Sequence, residues 1–147
     1  MSALRSVARW VLAVFFIAAG ANHFRAPEFY FAMMPAGLPW PAALNAISGA
    51  AEMLGGVGLL VPWARRWAGW GLIALLVAVF PANLHVALEG KMPGEDFSPL
   101  LLWVRLPFQA GFIAWVWWVA RRPELHRSNA GVAPGDRSGA DSVNSSP

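Results

Sequence analysis

The sequence predicts an all-α protein, a four-helix transmembrane bundle with both termini cytoplasmic. Three observations carry this. Of 147 residues, 57% are hydrophobic and only 13% charged, a balance that suits a membrane protein better than a soluble domain. Four apolar stretches each run for roughly 18–22 residues, the length that crosses ~30 Å as helix. The arginines gather on one side of the resulting bundle, which fixes its expected orientation.

The first stretch runs from Leu4 to Ala21, with Arg5 and Arg9 near its start. Its end, Ala19-Gly20-Ala21, also has the form of a secretory cleavage site; cleavage there would leave three spans. The connection from Phe24 to Pro41 is unusually apolar, with Phe29, Tyr30, Phe31, Met33, Met34, Leu38 and Trp40. Pro27 and Glu28 suit the first turn of a short helix, and Pro35, Pro39 and Pro41 prevent a long one. Such a segment is expected in the outer interface, as a lid or as a simple anchor.

The second stretch, Ala42 to Val61, carries one charge, Glu52. The third is Trp67 to Leu88, after the short link Pro62 to Arg66. The fourth is Leu100 to Ala120, after Glu89 to Pro99. Backbone groups in lipid must be satisfied within the segment, which selects helices. After Arg122 the composition turns to Ser, Gly, Pro, Asn and Asp. Residues 1–122 are therefore expected to form the membrane domain, and residues 123–147 a disordered cytoplasmic tail.

Placing the termini and the second link on one side puts Arg5, Arg9, Arg65, Arg66, Arg121, Arg122, Arg127 and Arg137 there. The other side holds Arg25 and Lys91, beside Glu28, Glu89, Glu95 and Asp96. That bias makes the arginine-rich side cytoplasmic. Trp10, Trp63, Trp67, Trp70, Trp115, Trp117 and Trp118 fall towards the inner boundary, and Trp40 and Trp103 towards the outer, as interfacial belts do.

Several function classes are excluded or weakened. The chain has no cysteine, so thiol–disulfide chemistry and thiolate metal sites are impossible. The net charge of +3 is spread over helix ends and forms no nucleic-acid patch. The run Gly55-Gly56-Val57-Gly58 lies inside a span with no preceding strand, so it is no phosphate loop; with Gly49 it suits close helix approach. His85 is two residues from Asn83, about 200° around a helix, and reads as interfacial. A bis-histidine haem on His23 and His85 has little support, His126 falls in the tail, and no metal-ligand spacing occurs.

The chemistry-bearing residues share one depth. Glu52 lies ~15 Å from either surface at ~1.5 Å per residue, where a charge costs ~2.5–3.5 kcal/mol on insertion scales. Asn45, Ser48 and Glu52 are spaced i, i+3, i+7, one stripe of a helix, and Arg105 and Gln109 are i, i+4. Asn22, His23 and Asn83 end or nearly end their spans at the same side. The expected arrangement is a Glu52–Arg105 ion pair, with His23, Asn83 and Gln109 as hydrogen-bonding neighbours. The candidate ligand-binding set is His23, Ser48, Glu52, Asn83, Arg105 and Gln109, with Glu52 the candidate proton-handling group. The alternative is a purely structural layer that fixes helix register.

These residues resemble the DoxX family of small bacterial membrane proteins. Gly20-Ala21-Asn22-His23-Phe24, Pro27, Tyr30, Met34-Pro35 and Leu38-Pro39 are similar to its first motif, and Ser48-Gly49, Glu52 and Gly55-Gly56 to its second. Pro81-Ala82-Asn83 and Arg105-Leu106-Pro107-Phe108-Gln109 resemble the third and fourth, so the resemblance covers about residues 7–120. It implies a four-helix bundle of the bacterial inner membrane, and a role linked to quinone-dependent redox metabolism. The expected function is an integral-membrane accessory subunit in respiratory or redox metabolism, with no intrinsic cofactor and a quinone-like or other lipophilic ligand in the outer half of the bundle. Arg105, Gln109, Asn83 and His23 would donate to the two quinone oxygens. The expected partners are membrane lipid and a redox enzyme subunit. A non-catalytic assembly or scaffold protein is the alternative; a small transporter is poorly supported, because no broken-helix repeat occurs.

Overall fold

The computed structural model describes residues 3–90 and 98–121. These form five helices: α1 (Ala3–Arg25), α2 (Pro27–Phe31), α3 (Pro41–Leu60), α4 (Arg65–Glu89) and α5 (Pro99–Ala120). The described residues contain no strand. Four of the helices are long and apolar enough to cross a membrane, so the expected all-α, four-helix transmembrane bundle is what the chain forms. The tail at 123–147 and the residues Lys91, Glu95, Asp96, Arg122, His126, Arg127 and Arg137 lie outside the described residues.

Proline starts three of the helices. Pro27, Pro41 and Pro99 each occupy the first turn, where a missing N–H costs nothing and the ring presets φ. Pro27 therefore begins the short helix that its position predicts. Gly90 ends α4 in the left-handed region, φ 66°, and its N–H bonds the Val86 carbonyl at 3.2 Å. Trp40, just before Pro41, also has positive φ (51°), a conformation costing ~1–2 kcal/mol for a residue with a Cβ.

The helices pack in the order α1, α3, α4, α5, and α1 and α5 barely touch. Glycine lets α3 approach both neighbours. A Cβ at Gly49 would lie 2.6 Å from the Cβ of His23, and one at Gly56 2.8 Å from the Ala13 carbonyl, both on α1. Gly55 and Gly58 take Leu72 and Ala68 of α4 in the same way. The predicted small-residue contact thus serves two interfaces at once, since Gly49 and Gly56, seven apart, share one face of the helix and Gly55 and Gly58, three apart, share another.

Two ends can be distinguished: a terminal end near Ala3 and Arg121, and a loop end carrying α2. At the terminal end Leu12, Phe16, Leu59, Leu72, Val116 and Val119 form a dry core. Trp115, expected at the interface, instead packs against this core and stacks on Phe112 at 6.0 Å. The other eight tryptophans include exposed residues at both ends, such as Trp63, Trp67 and Trp40. Arg5 donates to the Trp118 and Arg121 carbonyls, and Arg65 Nε to the Leu59 carbonyl at 3.0 Å. These arginines satisfy the orphan carbonyls of helix C-termini. Arg9 is buried on the face of α1 that carries Leu12, Ala13 and Phe16.

Candidate functional site

Above the dry core the four long helices separate around a cavity of about 370 Å³. All six sequence-predicted site residues line it: His23 from α1, Ser48 and Glu52 from α3, Asn83 from α4, and Arg105 and Gln109 from α5. The i, i+4 spacings of Ser48–Glu52 and Arg105–Gln109 deliver these pairs there because each occupies one stripe of its helix. His85 is half-buried and takes no part in the lining, as its offset from Asn83 requires. No group of three or more candidate metal ligands occurs among the described residues.

The expected ion pair is not formed. Arg105 makes no salt bridge with Glu52; its Nη1 lies 3.6 Å from the sulfur of Met33. Glu52 faces His23 instead, with Oε2 3.7 Å from Nε2. Counting rise per residue placed the two charges at adjacent depths, but depth says nothing about azimuth. Arg105 lies on the stripe of α5 that turns towards the loop segment, and α1 brings its histidine to α3 across the glycine contact.

His23 has a defined tautomer. Asn45 Nδ2 donates to the His23 backbone carbonyl at 2.8 Å, which turns Asn45 Oδ1 towards His23 Nδ1 at 2.7 Å. An oxygen there accepts, so Nδ1 carries a hydrogen. Nε2 is then left for Glu52. The pair is chemically complementary when it holds one proton between them: a neutral imidazole facing a carboxyl, or an imidazolium facing a carboxylate. Glu52 Oε2 is buried and accepts no hydrogen bond in this arrangement. Asn45, predicted to share the polar stripe, lies behind the histidine rather than in the cavity wall.

The loop segment folds over this site. Tyr30 stacks on the His23 ring, centroids 3.6 Å apart and planes 21° from parallel. Its hydroxyl accepts from Asn22 Nδ2 at 3.2 Å and donates to the Ala19 carbonyl at 3.4 Å. Burial pushes the Tyr30 phenol above its ordinary pKa, with the Asn22 hydrogen bond acting in the opposite direction. Met33 is buried against Val86, Ala87 and Leu102. Phe29, Tyr30, Met33 and Met34 thus form a cover, while Leu38 and Trp40 remain exposed. Tyr30 is the site residue that spacing arguments overlook. Its available signals are its place in the motif resemblance and that it is the only tyrosine in the chain, set in an otherwise apolar connection.

On the opposite wall Asn83 Nδ2 donates to Gln109 Oε1 at 3.2 Å, and Gln109 Nε2 donates to the Leu76 carbonyl. Pro81, inside α4, cannot bond the Val77 carbonyl. Gln109 therefore supports α4 beside the break, as neighbouring helices do for prolines in membrane spans. Each amide keeps one further N–H. Phe15, Phe108 and Phe112 complete the wall where α1 and α5 diverge.

One family model, described as a domain of unknown function (DUF8561), matches residues 12–120, and the chain belongs to that family. The matched region contains every residue of the cavity wall. Comparison with curated proteins and with solved structures gives no match.

Proposed function

We propose that this DUF8561 member binds a quinone-like lipophile in the cavity at the loop end. In this role it serves as an accessory subunit of a redox enzyme in a bacterial inner membrane, with both termini cytoplasmic. The observation that carries the proposal is the pairing of unlike polar groups in one apolar-walled space. Arg105 offers N–H donors and meets no carboxylate among the described residues. Glu52 Oε2 faces His23 Nε2 at 3.7 Å and accepts no hydrogen bond. A quinone needs donors to two carbonyl oxygens and, when reduced, acceptors for two hydroxyls, and this wall offers both. The resemblance of the motif residues to the DoxX family supports the same assignment. The arginine bias supports the orientation.

Mass spectrometry of lipids and quinones that co-purify with the wild type and with Glu52→Gln tests it. The expected result is a quinone retained by the wild type and lost by the variant, with helicity unchanged. Retention by neither leaves a scaffold role. That second function has its own support: His23–Asn45 ties α1 to α3, and Asn83–Gln109 ties α4 to α5, which is what polar glue between helices does.

A further inference from the structure

We infer that the cavity is loaded sideways from the bilayer, by a single-tailed amphiphile whose head meets Glu52 and His23 and whose chain leaves over Phe108 along α5. The inference rests on the proposed lipophile site and specifies the shape of its occupant.

Among the described residues, Tyr30 and Met33 cover the cavity at the loop end. Tyr30 lies flat on His23, and Met33 is buried against α4 and α5. The lateral route is not filled in this way. Beside the cavity α1 and α5 meet through the Phe15–Phe112 stack, centroids 4.7 Å apart. One turn towards the loop end from Phe112, Phe108 is 64% exposed on the bundle surface while still lining the cavity.

A second, apolar cavity of about 360 Å³ runs along α5 there, lined by Leu101, Val104, Arg105 and Phe108 with Phe29 and Leu102. Leu101, Val104, Arg105 and Phe108 are spaced i, i+3, i+4, i+7, one stripe of the helix. The two cavities share Phe29, Arg105 and Phe108. The polar end therefore adjoins an apolar groove on a membrane-facing helix. A head with donors and acceptors fits the first, and a hydrocarbon chain fits the second. Arg105 stands at the junction, where an oxygen joining ring to chain, or a ring carbonyl beside the chain, would meet its guanidinium.

The test uses the full chain in proteoliposomes and two probes, each a benzoquinone with a short isoprenoid tail. One carries an azide on the ring, the other a diazirine in the first isoprene unit; labelled peptides are mapped by mass spectrometry. Ring label on the α1 and α3 walls near His23 and Glu52, with tail label on α5 from Leu101 to Phe108, is the expected pattern. Val104→Trp, which fills the groove, should abolish the tail label and leave labelling by a tailless azidoquinone intact. Ring label in the cavity with tail label on residues 30–34 and none on Leu101 to Phe108 would retain the lipophile site and overturn sideways loading. Absence of ring label removes the site itself. Tail label suppressed by excess phosphatidylglycerol but not by unlabelled quinone means that an ordinary acyl chain occupies the groove, which also overturns the inference.

Discussion

Asn45 holds His23 with both ends of its amide: Nδ2 on the histidine's backbone carbonyl at 2.8 Å, Oδ1 on its ring Nδ1 at 2.7 Å. The two bonds cross the α1–α3 contact at the point where Gly49 lets the backbones close. They decide which ring nitrogen faces Glu52. Asn45→Ala should therefore destabilise the bundle by about 1–3 kcal/mol, because it leaves a buried Nδ1–H and a carbonyl unpaired. Thermal unfolding in detergent reads this. A loss below the scatter of the measurement would mean that the pair contributes nothing to the contact.

Glu52 and His23 should be energetically coupled, and Glu52 and Arg105 should not. Double-mutant cycles with Glu52→Gln, His23→Gln and Arg105→Gln separate the two cases. Contacting residues couple by about 0.5–3 kcal/mol, while separated ones add within about 0.5 kcal/mol. Strong coupling to arginine and none to histidine would contradict the geometry of the site.

Glycines of equal helix propensity should behave differently by position. Gly49→Ala drives a methyl to 2.6 Å from His23 and 2.9 Å from the Gly20 carbonyl, and should cost about 1–3 kcal/mol as overpacking. Gly71 has nothing within 4 Å of a built Cβ. Gly71→Ala should be neutral or gain up to about 1 kcal/mol in helix propensity. Denaturation of both variants side by side checks the pair; equal effects would deny the close crossing.

Tyr30 gives a pH signature that needs no partner. The chain has one tyrosine, so tyrosinate absorbance reports this residue alone. Burial raises its pKa, and the midpoint should lie above the ordinary ~10. The sign follows by linkage: the neutral phenol is favoured in the folded state, so its contribution is complete below about pH 10 and is lost as pH rises through the higher folded value. Tyr30→Phe should lack this alkaline step. A midpoint at or below the free value would place the ring in solvent.

Orientation is tested by reporter fusions after residue 147 and within 89–99. The arginine distribution predicts a cytoplasmic C-terminus and an external loop. The opposite pattern, or loss of an N-terminal peptide of the size expected for cleavage after Ala21, would replace the four-span topology.

The four long helices were legible in the sequence because crossing lipid imposes a length and a composition on each segment alone. Observed bounds differ from expected ones mainly at the first helix, which continues through His23 to Arg25 because no proline or glycine stops it before Pro27. The convergence of His23, Ser48, Glu52, Asn83, Arg105 and Gln109 was also legible, since depth and helical stripe follow from counting residues.

Who meets whom was decided only by the tertiary structure. Residue counting fixes height along a helix axis but not the rotation and approach of neighbouring helices. The glycine contact between α1 and α3 brings His23 to Glu52, and the rotation of α5 sends Arg105 to Met33. The cover made by Tyr30 and Met33 depends in turn on how five residues of α2 fold back across the bundle. Such contacts are non-local, and each depends on the shape of two packed surfaces rather than on the residues of either one.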